Sequence, residues 1–102
     1  MSYLSHAKTF LIEDETSAAT SEWAFVGDTY PFTIWTLFSI GTASVTVEGS
    51  LDKVEANVVA LGSAITVRGI TTFTDCIPWV RVKGTPAGGA VLSVGLSAQN
   101  TT

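Results

Sequence analysis

The sequence predicts an all-β protein, an antiparallel β-sandwich with strands in jelly-roll or immunoglobulin-like order. Three observations lead there. Short segments alternate apolar and polar residues with a period of two, turn residues recur at short intervals, and no stretch carries an amphipathic helix of useful length. A chain of 102 residues holds one core and not two. Residues 1–12 read as an N-terminal arm with a first short strand, and residues 13–102 as a single sandwich domain.

The organising strand is residues 43–51, where Val45, Val47 and Leu51 fall on one side and Ser44, Thr46, Glu48 and Ser50 on the other. Gly49 interrupts its apolar series and marks a bulge or a close backbone approach. Ahead of it, residues 1–8 lack periodicity and read as an arm or an interface strap. Residues 9–12 form a short strand stopped by Glu13, Asp14 and Glu15, and residues 16–21 form a loop. Trp23 and Phe25 share one face of a strand over residues 22–26. A turn follows over residues 27–31. Residues 32–40 are apolar on both sides, with Phe32, Ile34, Phe38 and Ile40 on one and Trp35 and Leu37 on the other. A strand in a two-layer fold has one face to bury, so the second set needs a neighbour.

Past the organising strand, residues 58–61 lead to a turn at Gly62 and Ser63. Ile65 and Val67 alternate in the next strand, and residues 69–75 form an irregular connection with a short strand, holding Ile70 and Phe73 among threonines. Residues 79–83 alternate cleanly, Val80 and Val82 inward and Trp79, Arg81 and Lys83 outward. A Gly-rich hairpin loop spans residues 84–89. The last strand sets Ala90, Leu92, Val94 and Leu96 against Ser93, Gly95 and Ser97, and the tail from Ala98 is polar and frayed.

Charged residues make up 14% of the chain, well under the roughly 25% of an average soluble domain. Hydrophobic residues reach 46% and the mean hydropathy is +0.39. No apolar run approaches the roughly 18 residues of a membrane span, so no membrane partner is expected. Some of the apolar excess is expected to face another protein. A net charge of −4 with scattered Lys8, Lys53, Arg68, Arg81 and Lys83 argues against nucleic acid. A lone cysteine, Cys76, excludes an intrachain disulfide and fits a reducing cytoplasm at the time of folding. The N-terminus lacks the basic start and apolar stretch of a signal peptide.

Catalysis has little to stand on. The sole histidine, His6, lies in the arm, and Cys76 reads as a buried structural thiol. Asp52 and Glu55 are close enough to work as an acid/base pair, but a turn favours local hydrogen bonding by Asp52. Glu13, Asp14 and Glu15 lack the spacing and glycine of a calcium loop. No enzyme, cofactor or metal is expected. The three tryptophans fit a core, a subunit interface or a sugar-stacking surface. The expected contact residues are Phe10, Leu11, Trp23, Trp35, Leu37, Trp79, Arg81 and Lys83.

Two stretches carry a resemblance. The run ending Val-Thr-Val-Glu-Gly-Ser-Leu-Asp at Asp52, and Pro78-Trp79-Val80-Arg81-Val82-Lys83 with its Gly-rich loop and final Val/Leu strand, together resemble small β-structural proteins of tailed bacteriophages. That family commonly carries Gly after the Asp and a Trp a few residues on, where this chain has Lys53 and no Trp. The resemblance implies a virion component made in the host cytoplasm. The role it suggests is a capsid decoration (cement) protein, often trimeric, with itself and the major capsid protein or another virion protein as partners. A carbohydrate-binding or host-adhesion module, or a tail or head–tail connector subunit, is the alternative.

Overall fold

The computed structural model describes residues 4–27, 31–75 and 77–101, with side chains described from Phe10 to Ser97 within those ranges. Cys76, part of the 27–31 turn and the side chain of His6 lie outside the described residues. Among the described residues the strands are β1 (Leu4–Glu15), β2 (Ala19–Thr20), β3 (Ala24–Phe25), β4 (Phe32–Leu37), β5 (Thr42–Ser50), β6 (Val59–Ile65), β7 (Gly69–Phe73), β8 (Trp79–Ala87) and β9 (Leu92–Thr101). A single 3-10 turn covers Glu55–Asn57.

Two antiparallel sheets face each other across the core, as expected. The first has the order β1-β9-β4-β7; the second has β2-β8-β5-β6, with β3 also paired to β8. Only β5 and β6 are neighbours both in sequence and in a sheet. The pairs β1·β9, β2·β8, β4·β7 and β5·β6 each join an early strand to a later one, so the chain runs as a double ribbon wound around its core.

The alternation in sequence sets the core directly. Ile34, Val45, Val47, Val80, Val82, Leu92 and Val94 are fully buried, and Phe32 stacks on Phe73 across the β4·β7 pair with centroids 5.2 Å apart. A Cβ on Gly49 would meet Ile77 Cδ1 at 2.7 Å, so the close approach expected there is real. One buried polar group is out of place: Thr36 Oγ1 has no hydrogen-bond partner.

Elsewhere the strands run further than expected. β1 starts at Leu4 and pairs with β9 from Leu4↔Thr101 onward. The segment expected as an arm or an interface strap is therefore a strand of the domain from Leu4, and the tail expected to fray is its partner as far as Thr101. Each supplies the hydrogen bonds the other lacks, a pairing between chain ends that local periodicity does not reveal. A one-residue bulge separates Phe10↔Gly95 from Ile12↔Val94, which puts Ile12 in the core and lets Leu11 pack against it too.

Three local readings are corrected. Leu51, expected inward, is 74% exposed because β5 ends one residue earlier. Gly62 and Ser63 form an irregularity within β6, opposite the step between Val45 and Val47 of β5, with Gly62 at φ 67°. The segment at residues 84–89 is no hairpin: β8 continues to Ala87 in the second sheet and β9 belongs to the first, so the turn at Gly88 and Gly89 crosses between layers.

Candidate interaction surface

The outward residues of β8 meet those of β5 in register, Arg81 beside Glu48, Lys83 beside Thr46 and Trp79 beside Ser50. Arg81 Nε donates to Glu48 Oε1 at 2.8 Å and its Nη2 to Glu55 Oε2 at 2.7 Å. The guanidinium also lies over the Trp23 ring, 4.6 Å from its centroid, a cation–π contact in a position sheltered from water. These carboxylates, Glu55 first, raise the Arg81 pKa further above its ordinary value. Lys83 reaches Glu48 at 3.6 Å from the more exposed side. Phe25 meets Trp79 edge-on with centroids 5.1 Å apart. Arg81, Lys83, Trp23 and Trp79 all find partners within their own chain, while Phe25 stays 65% exposed.

The turn after β5 completes this face. Ser50 Oγ accepts the N–H of Asp52 and of Lys53, at 3.2 and 2.9 Å. Asp52 Oδ1 accepts the Val54 N–H at 3.0 Å, and Oδ2 accepts from Asn57 Nδ2 at 2.8 Å. The Val54 N–H, then the Asn57 amide, hold the Asp52 carboxyl below its usual range. Glu55 is lowered chiefly by its hydrogen bond from Arg81. The two carboxylates therefore do structural work and are not turned toward each other as an acid/base pair. Lys53 has φ 63°, a conformation that favours glycine. Its ammonium lies 4.3 Å from the centre of the Trp79 ring.

The first sheet presents a different outer surface. Register puts Phe10, Gly95, Trp35 and Ile70 in one row across all four strands. Phe10 is 54% exposed, Trp35 39% and Ile70 58%, with Leu37 exposed in the next row. Beside this row lies a hydroxyl row, Ser97, Thr33 and Thr72, in which the two threonine oxygens are 3.4 Å apart. On the opposite side a shallow groove of about 320 Å³ runs between Phe10, Leu37, Phe38, Val91, Ser93 and Arg68. No ring stacking, cation or ion pair covers the apolar row among the described residues.

Of the expected contact residues, the structure brings Phe10, Trp35 and Leu37 together on this exposed face. Trp23, Trp79, Arg81 and Lys83 stand on the opposite side of the sandwich, and Leu11 is half-buried against the core. Sequence reasoning missed Ile70, Arg68 and Val91 as members of the exposed face. The alternation of Ile70 and Phe73 with threonines was the available signal, and it identifies β7 as a strand with Ile70 outward.

No protein-family model matches the chain, and no curated protein matches it. Among solved structures, the crystal structure of the SPBc2 prophage-derived protein YomS is similar, with a TM-score of 0.76 and 16% sequence identity. The likeness covers 98% of this chain and 96% of that one. The whole two-sheet sandwich, from β1 to β9, is therefore a fold this chain shares with a prophage-derived protein.

Proposed function

We propose that the chain is a non-enzymatic structural component of a bacteriophage particle, a capsid decoration protein that self-associates and binds the outer shell after synthesis in the host cytoplasm. The observation that carries this reading is the outer face of the first sheet, apolar along a full cross-strand row and left uncovered by its own chain. A domain of this size gains from hiding such a face against another protein. The fold likeness to a prophage-derived protein supports a phage origin. Contacts that are weak singly become strong when repeated over a symmetric shell, although association costs reduce the yield at each site. Sugar stacking loses support, since Trp23 and Trp79 already hold cations of their own chain on their rings.

The test is co-sedimentation of the purified chain with undecorated shells of the phage that encodes it. The expected outcome is saturable binding at a fixed ratio to the shell subunit. A folded chain that stays in the supernatant at every ratio would overturn the reading.

A further inference from the structure

We infer that the outer face of the first sheet pairs with the same face of a second copy, about a two-fold axis parallel to the strands and passing between β9 and β4. This deepens the proposed assembly role, on which it rests, by naming the occupant of the uncovered face.

The row order is the first ground. Such an axis reverses the row Phe10, Gly95, Trp35, Ile70 onto itself. Phe10 then faces Ile70 of the second copy, and Trp35 faces Gly95, where no side chain stands in its way. Every large side chain of the row meets an apolar group or a glycine, and the sheets stack as the layers of a sandwich do.

Charge is the second ground. Arg68 borders the groove on the β7 side of the face and makes no ion pair among the described residues. On the opposite edge, Glu13 and Asp14 are exposed beside Ser93, which accepts from the Asp14 N–H at 3.0 Å. Ser93 and Leu37 share a register row, and the same groove holds both of them with Arg68. The proposed axis exchanges the β1 and β7 edges and keeps each row at its level. Each copy's Arg68 then meets the other's acidic edge, twice per pair. An in-plane axis across the strands would instead carry Arg68 toward the Thr72 end of the threonine row, away from the acidic edge. The parallel axis thus answers each Arg68 with an acidic edge.

Size sets the strength. Four strands at about 4.8 Å spacing and some 20 Å of shared length offer roughly 400 Å² per copy, about half of what a standard interface buries on each side. The contact is therefore weak and concentration-dependent, and builds pairs where the phage resemblance implies trimers. A two-fold pair leaves the second sheet's outer face and the sheet edges open to a shell.

Sedimentation velocity of the full chain from about 10 μM to about 1 mM tests this. The wild type is expected to pass from monomer to dimer, and Trp35→Glu to remain monomeric. Arg68→Glu and Glu13→Lys are each expected to weaken pairing about tenfold, and an equimolar mixture of the two to restore it, because both cross-contacts regain opposite charge. If Trp35→Glu fails to fold by circular dichroism, the charge-exchange mixture decides alone. A wild type still monomeric at the top concentration, a trimer, or a mixture no stronger than either variant alone would each overturn the two-fold contact. A monomer that still coats shells would overturn this contact and leave the decoration role standing.

Discussion

Trp79 lies under Lys53 and Trp23 under Arg81 on the second sheet, whereas Trp35 of the first sheet stands in a row with Phe10, Gly95 and Ile70 and meets no cation among the described residues. Both outer faces carry large aromatic rings. They differ in where the positive charges fall. Of the five basic residues in the chain, Lys53, Arg81 and Lys83 all serve the second face, while Arg68 lies at the margin of the first and Lys8 stands on β1 opposite Ser97. A ring beneath a guanidinium is partly desolvated and held in place, and it has little left to offer a partner. A ring without one remains a free apolar surface. Among the described side chains, the placement of cations on rings, more than of the rings themselves, separates the two faces.

The largest effect that sharpens this contrast comes from Arg81→Ala. The Arg81 side chain is 11% exposed, and its loss leaves Glu48, itself 14% exposed, without its shorter ion pair. Glu48 keeps only the longer contact with Lys83 at 3.6 Å, and one side of Trp23 is uncovered. Breaking a largely buried pair this way costs about 2 kcal/mol, below the full range for deeply buried pairs because the face borders solvent. On the first face, Ile70→Thr keeps a β-branched side chain at an exposed strand position and is expected to cost under about 0.5 kcal/mol. Urea denaturation of both variants gives the comparison. Equal losses would mean that the two faces contribute alike to the monomer, and the contrast would fail.

How far this was legible in the sequence depends on whether the controlling contact is local. The inward valines of β5 and β8 declare themselves by alternation, and so does the outward set Trp79, Arg81 and Lys83. The double apolar character of residues 32–40 correctly signals that Trp35 and Leu37 face outward. Asp52 as a turn acceptor follows from side-chain chemistry, and Gly49 from its break in the pattern. Pairing between distant segments is a different matter. Residues 4–8 and 98–101 have no periodicity of their own and become strands because each completes the other's hydrogen bonding. The strand β2 is two residues long and exists because β8 offers an edge. Nor could sequence spacing reveal that Phe10, Trp35 and Ile70 align in one row, since their register is fixed by β9 and β7 lying on either side of β4.

A smaller effect should also be confined to the second face. The folded Asp52 and Glu55 carboxyls titrate below their ordinary values, Asp52 through the Val54 N–H and Glu55 through Arg81. In the unfolded chain they return to those values. Each contributes stability that is complete above the unfolded carboxylate range and is lost as pH falls through the lower folded value. The wild type should therefore lose thermal stability on acidification below the ordinary carboxylate range. Asp52→Asn should start lower at neutral pH and lose less over the same interval. Parallel losses in the two proteins would mean that this turn contributes nothing to the acid sensitivity.

The smallest expected effect separates two cations on a single strand that share one carboxylate. Lys83 Nζ is 3.6 Å from Glu48 Oε2, and its side chain is 48% exposed where that of Arg81 is 11%. Water and salt screen the lysine, and holding its long side chain in one position costs entropy. Lys83→Ala is expected to lower stability by about 0.3 kcal/mol and by less still in concentrated salt. A double-mutant cycle with Glu48→Gln isolates the pair, because Arg81 remains present in every member of the cycle. The coupling should vanish at high salt for Lys83 and persist in the corresponding cycle for Arg81, whose contact is shorter and sheltered by Trp23. Should the lysine carry the larger, salt-resistant coupling, burial would not be what ranks the cations of this face, and the claim that the second face is closed by sheltered charge would be wrong.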